Sequence, residues 1–176
     1  RKGKRWLILK SPECTYVVYN FKDIIPTITK IEAIVKEKQL YACGFVAYEA
    51  APAFDSSLET CEGKGFPLLW FGLFSTREEI FMLPKPHTNF FLRKMAPTMN
   101  KKRYGDAITT IKKELQEGNT YQVNLTMHIR GVFSGDPYAC FYDLYRHQPV
   151  DYAVFLKSNT FAICSLSPEL FFSLKN

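Results

Sequence analysis

The chain has 176 residues, 47% of them hydrophobic and 15% aromatic, with a formal net charge of +6. That length and composition suit one folded domain with a sizeable core and exclude disordered, collagen-like and low-complexity classes. No apolar run reaches the ~18 residues of a membrane-spanning helix, and only Trp6-Leu7-Ile8-Leu9 follows the basic Arg1-Lys2-Gly3-Lys4-Arg5, too little for a signal-peptide core. Much of the positive charge sits in that basic start and in Lys101-Lys102-Arg103 with Lys112-Lys113, the latter on the polar side of a helix, without the aromatic-basic interleaving of a nucleic-acid module. No membrane and no nucleic-acid partner is therefore expected. Five cysteines lie far apart with no CxxC pair, and the three histidines are equally scattered. They read as reduced structural thiols of a cytoplasmic protein, with no zinc site.

In chain order, Trp6 to Leu9 predicts a short buried strand. Asp23 can cap a helix that carries Ile24, Ile28, Ile31, Ile34 and Val35 at helical spacing, with Pro26 in its first turn. Tyr41 to Tyr48 predicts a strand in which Gly44 permits close backbone approach. Ala50 to Gly65 reads as loop, Leu68 to Phe74 as strand, Glu79 to Leu83 as a short strand, and Pro84 to Pro97 as a Pro-rich connection.

Asn100 is a good N-cap, followed by Tyr104, Ala107, Ile108, Ile111 and Leu115 on one helical face, with Gly118 as the stop. The period then switches to two, predicting a long strand from Tyr121 to Arg130 whose polar face carries Gln122, Asn124, Thr126 and His128. Asp136-Pro137 opens a further helix with Phe141, Leu144 and Tyr145 on its buried side. Ala153 to Leu156 and Phe161 to Cys164 are strands joined by the turn Lys157-Ser158-Asn159-Thr160. Ser165-Leu166-Ser167-Pro168 breaks the run, and Leu170 to Leu174 resumes it. Strands in antiparallel pairs with helices between them indicate an α+β fold rather than a parallel sheet.

Glu169 is the carboxylate of most chemical interest. It follows Pro168, whose missing N–H interrupts strand pairing, so it can be partly enclosed with the raised pKa a general acid needs; a Glu at a strand entrance can equally be solvated. The polar face Gln122–His128 fits a solvated strand or a pocket lining with fixed amides. Glu49, in Tyr48-Glu49-Ala50-Ala51-Pro52-Ala53-Phe54, is open to the same two readings. Composition and periodicity stop at an α+β domain.

Four segments go further. Glu117-Gly118-Asn119-Thr120-Tyr121-Gln122-Val123-Asn124-Leu125-Thr126, Ser134-Gly135-Asp136-Pro137, Pro149-Val150-Asp151-Tyr152 and Ser165-Leu166-Ser167-Pro168-Glu169-Leu170-Phe171 stand in the order and at the distances of motifs of one family. The chain thus resembles the anthranilate synthase component I / aminodeoxychorismate synthase component I family over Asn100 to Leu174. Gly44 to Phe54 is similar to the aminodeoxychorismate branch in particular. His147-Gln148-Pro149, Asp151 and His128 depart from the usual residues of the family at those places.

The resemblance implies replacement of a hydroxyl of chorismate by ammonia, delivered by a glutamine amidotransferase subunit or domain, on the route to 4-aminobenzoate and folate. It assigns Glu169 as the catalytic acid that protonates the departing hydroxyl, Ser167 to substrate binding, and Asn124 and Tyr152 to an aromatic amino-acid pocket. It also implies Mg²⁺ held by glutamates and, in that branch, a nucleophilic Lys in a Pro-Ile-Lys-Gly-Thr motif. None of these last groups is present, so no metal ligand is assigned here. Residues 1–176 are expected to be the amino-terminal part of a single chorismate-utilising domain, an incomplete anthranilate synthase component I-like fold with antiparallel sheets and helices packed on the outside. Such a piece, cut before its catalytic carboxy-terminal half and also lacking an initial Met, is expected to be inactive alone. The alternatives are anthranilate synthase component I, isochorismate synthase, or a non-catalytic module that binds an amino acid or docks an amidotransferase.

Overall fold

A computed structural model describes residues 5–61 and 65–174, which form two compact units, residues 1–84 and 85–176. Helices alternate with purely antiparallel strand pairs, the mixed α+β class read from the strand and helix pattern. Among the described residues no helix is long and apolar enough to cross a membrane.

The first unit is built around β4 (Leu69–Phe74), which lies between β2 (Cys14–Val18) and β3 (Tyr41–Val46) in a three-stranded sheet. β1 (Trp6–Ile8) pairs separately with β5 (Glu78–Ile80). Helix α1 (Phe21–Lys38) lays Ile24 and Ile31 on Val18, Leu69 and Leu73, and with Ala50 and Leu68 these residues form the buried core. Ala50 comes from a 3-10 turn, Tyr48–Ala53, so the strand expected to reach Tyr48 ends at Val46.

Three further readings of this unit need correction, the first being β1, whose Leu7 is exposed rather than buried. The helix begins at Phe21 behind Asn20, and Asp23 sits in its first turn, where its carboxylate accepts from the Asn20 amide at 3.3 Å. Pro26 is consequently one turn deeper than expected and forgoes an internal backbone bond. Strand β2 was not anticipated, although Thr15, Val17 and Val18 are β-branched, because five residues are too few to display a period.

Gly44 stands opposite Phe71 in the β3–β4 ladder, and a Cβ there would run into the Trp70 carbonyl and the Phe71 Cα. Both are backbone atoms of the central strand and cannot swing aside. Gly44→Ala is expected to destabilise the fold by about 1–3 kcal/mol, read as a lower urea midpoint. An unchanged midpoint would contradict this close approach.

In the second unit, β6 (Phe90–Pro97) pairs with β7 (Ile129–Gly135) around a bulge between Arg93 and Ala96. The stretch expected to be a Pro-rich connection is thus largely a strand. Its prolines lie at 84, 86 and 97, and Pro97 is the last strand residue, leaving residues 87–96 free to pair. Helix α2 (Lys101–Gln116) starts where anticipated: the Asn100 side chain accepts from the Arg103 amide at 2.9 Å. It ends in a Schellman motif, with Gly118 at φ +75° and the Asn119 N–H donating to the Glu114 carbonyl at 3.0 Å. No residue of α2 is buried, however, and Tyr104 and Leu115 of its apolar face are exposed.

The long strand expected from Tyr121 to Arg130 is the largest correction: residues 121–128 form no ladder and β7 begins at Ile129. The register explains this. Ile129 pairs with Pro97, the last residue of β6, and one more bond joins the Thr98 N–H to the His128 carbonyl at 2.8 Å. Beyond that point the neighbouring chain turns into α2, so alternation in 121–127 has no partner strand among the described residues. Helix α3 (Pro137–His147), with Asp136 as N-cap, precedes β8 (Tyr152–Lys157) and β9 (Ala162–Ser167), which form a hairpin.

Candidate functional site

Ser158 closes the β8–β9 turn. Its N–H donates to the Phe161 carbonyl at 2.9 Å, and its hydroxyl accepts from the Thr160 and Phe161 amides at 3.2 and 3.1 Å. The turn sets a register in which Tyr152 opposes Ser167, Val154 opposes Ser165, and Phe155 opposes Cys164. Pleating sends alternate pairs to opposite faces. Phe155 and Cys164 meet α3: the Phe155 ring lies 5.4 Å from Tyr138 and 5.5 Å from Phe141, and Cys164 Sγ is 3.7 Å from the Pro137 carbonyl oxygen. Tyr152, Val154, Ser165 and Ser167 therefore point to the other face.

The start of α3 is itself tied down. Asp136 accepts from the Tyr138 amide through Oδ1 and from the Thr88 hydroxyl through Oδ2, each at 2.9 Å. Burial, then the neighbouring Tyr142 and Asp136, raises the Tyr138 phenol above its ordinary pKa. Burial first, with Asp143 second, raises Cys140; burial and then Cys140 push Cys164 up to about 11.

The hairpin delivers its last strand into Ser167-Pro168-Glu169. Here Ser167 Oγ donates to the Glu169 carbonyl at 2.8 Å and accepts from the Glu169 N–H at 3.2 Å. One side chain thus holds both backbone polar groups of Glu169 around Pro168. The Ser167 proton is committed, leaving its oxygen one further acceptor position. Glu169 itself is exposed, so the described residues do not supply the enclosure anticipated for it. Leu170 to Leu174 forms no strand, contrary to expectation: Phe171, Phe172 and Leu174 are exposed, with no partner strand paired to them among the described residues.

Of the residues singled out from sequence, Tyr152, Ser167 and Glu169 are brought together at one end of the hairpin. Asn124 is exposed on the segment without a ladder. Ser165 was overlooked; it is exposed and shares the face of Ser167 and Tyr152. The signal was available, since Ser165 lies two positions before Ser167 in a strand, on the same face. Among the described residues no group of three or more His, Cys, Asp or Glu side chains is placed to hold a metal ion, so they do not fit a Mg²⁺ site.

Comparison with known proteins bears on the same end of the chain. The chorismate binding enzyme family matches residues 77–176, more than half of the sequence. Aminodeoxychorismate synthase component 1 of Escherichia coli is 33% identical over 78 residues, 44% of this chain and 17% of that protein. Anthranilate synthase component 1 of Saccharolobus solfataricus is 32% identical over 79 residues, 45% and 19% of the two chains. The chloroplastic aminodeoxychorismate synthase of Arabidopsis thaliana is 29% identical over 130 residues, 72% of this chain but 14% of its own. The matches thus span less than a fifth of each of these relatives. With a family match that runs through the hairpin and the Ser167-Pro168-Glu169 turn, the chain belongs to the chorismate binding enzymes.

Proposed function

We propose that these residues are the amino-terminal part of the catalytic domain of an aminodeoxychorismate synthase, which aminates chorismate with ammonia from a glutamine amidotransferase. The observation that carries this reading is the Ser167-Pro168-Glu169 turn, where a carboxylate is presented on a backbone held at both polar groups by its own Ser. Similarity to relatives with this name in Escherichia coli and Arabidopsis thaliana supports the choice within the family.

On this reading Glu169 is the general acid. Hydroxide is a poor leaving group, and a positioned proton donor accelerates such a departure by ~10²–10⁴-fold. Ser167 fixes the donor and has an acceptor position left for a substrate hydroxyl, while Tyr152, across the ladder, and Asn124 would serve an aromatic amino-acid pocket. Mg²⁺, which would bind and orient the chorismate carboxylate, and the nucleophilic Lys would be supplied by protein outside residues 1–176 in the same anthranilate synthase component I-like fold; without them the chain alone does not turn over. Five free thiols accord with a reducing, cytoplasmic compartment.

The similarity to anthranilate synthase component 1 of Saccharolobus solfataricus favours a second reading within the class. The intact enzyme, given chorismate, an ammonium salt and Mg²⁺, separates the two by its product. Aminodeoxychorismate is the expected outcome. Anthranilate would transfer the assignment to the second reading, and unconsumed chorismate would overturn both.

A further inference from the structure

The Ser134-Gly135-Asp136-Pro137 segment carries a half-buried carboxylate to which the amination chemistry gives no role. Asp136 stands at the corner between β7 and α3 and is bonded on both sides of it. Its Oδ1 accepts from the Tyr138 N–H and its Oδ2 from the Thr88 hydroxyl, each at 2.9 Å. Its own N–H donates to the Asn89 carbonyl at 3.1 Å. Thr88 and Asn89 lead directly into β6. One residue thus ties the first turn of α3 to the start of the β6–β7 pair, and its ionised oxygens make the stronger class of hydrogen bond. The pairs β6–β7 and β8–β9 are separate sheets, and α3 touches both. The turn that Asp136 caps also holds the hairpin: Cys164 Sγ is 3.7 Å from the Pro137 carbonyl oxygen. Phe155, opposite Cys164 in the ladder, sets its ring 5.4 Å from Tyr138 and 5.5 Å from Phe141. From Cys164 the paired strand runs on to Ser167, whose hydroxyl holds the Glu169 backbone.

We propose that Asp136 is a positioning residue for the amination reaction. It sets α3 against the β6–β7 pair and, through the Pro137–Cys164 contact and the Phe155 ring, sets where the hairpin presents Glu169. The proposal rests on the reading of Glu169 as the general acid. Asp136 itself touches no reacting atom; it acts by way of a bonded and packed path that ends in the Ser167-Pro168-Glu169 turn. Proton delivery is steep in position, and a displacement of ~1 Å imposed from outside the reacting groups can cost about 10²-fold in rate. Because the proton is needed only as the hydroxyl departs, the loss belongs in kcat rather than in KM.

In the intact enzyme, given chorismate, an ammonium salt and Mg²⁺, Asp136→Ala is expected to lower kcat about 10-fold or more with KM nearly unchanged. Asp136→Asn, whose amide oxygen still caps the helix, should recover most of that loss. Thr88→Val removes only the bond to Oδ2 and should lower kcat about 3-fold. The decisive measurement repeats Asp136→Ala in the Glu169→Gln background. A residue that works by placing the acid costs less than about 2-fold there, because the acid is already gone. A merely structural role costs the same in both backgrounds. Equal losses in the two backgrounds, or wild-type kcat in folded Asp136→Ala, would overturn the proposal. Thr88→Val, measured in the same two backgrounds, decides the matter should Asp136→Ala fold poorly. Near-normal kcat in Glu169→Gln alone would overturn the reading of Glu169 as acid and this proposal with it, so the two failures are told apart.

Discussion

Glu169→Gln in the intact enzyme is expected to lower turnover about 10²-fold or more, equivalent to ~2.7 kcal/mol of transition-state stabilisation. The substitution removes the proton and keeps the shape. It should leave the fold untouched, because the Glu169 side chain is exposed and its backbone is held by Ser167 rather than by its own carboxylate. On the proposed mechanism the loss falls on kcat more than on KM, since the proton matters only as the hydroxyl departs. Product formation measured at saturating chorismate and ammonium, alongside an unfolding curve, checks both points. Near-normal kcat in a folded variant would remove Glu169 from the role of acid.

Phe141→Ala is expected to cost about 3–5 kcal/mol of stability, the largest effect of any single truncation in the second unit. Phe141 is 1% exposed and sits between the Phe155 ring at 5.5 Å and the Tyr145 ring at 6.4 Å. Removing it opens a cavity between α3 and the hairpin, and the aromatic neighbours lose dispersion contact on one side. A domain holds only ~5–15 kcal/mol in total, so much of the folded population should be lost under mild denaturant. Urea unfolding provides the measurement. A midpoint close to wild type would mean that the hairpin does not depend on α3 for its support.

Several elements were legible because their determinants lie within a few residues. Asn100 accepting from Arg103, Asp136 accepting from Tyr138, Gly118 in a left-handed conformation and Ser158 closing its own turn are all bonds over short separations. Each is a local choice between two conformations, and residue type decides it. The twin cap formers Asn20 and Asp23 show the limit, since either could start α1 and the helix took the earlier one. The polar alternation from Gln122 to His128 shows a deeper one. It describes which way side chains would face in a strand, yet no bond in it is local, and the partner it needs ends at Thr98.

The same division runs through the candidate site. The residues Ser167, Pro168 and Glu169 and the resemblance they carry were readable from the chain alone, because a three-residue turn held by a Ser hydroxyl is a local device. That Tyr152 stands across from Ser167, that Ser165 joins them, and that Cys164 meets the first turn of α3 depended on hairpin register and on the side from which α3 packs. So did the exposure of Glu169 and of the α2 apolar face. Caps and turns are closed by neighbours in sequence; burial and pairing are set by surfaces that meet only after distant segments have come together.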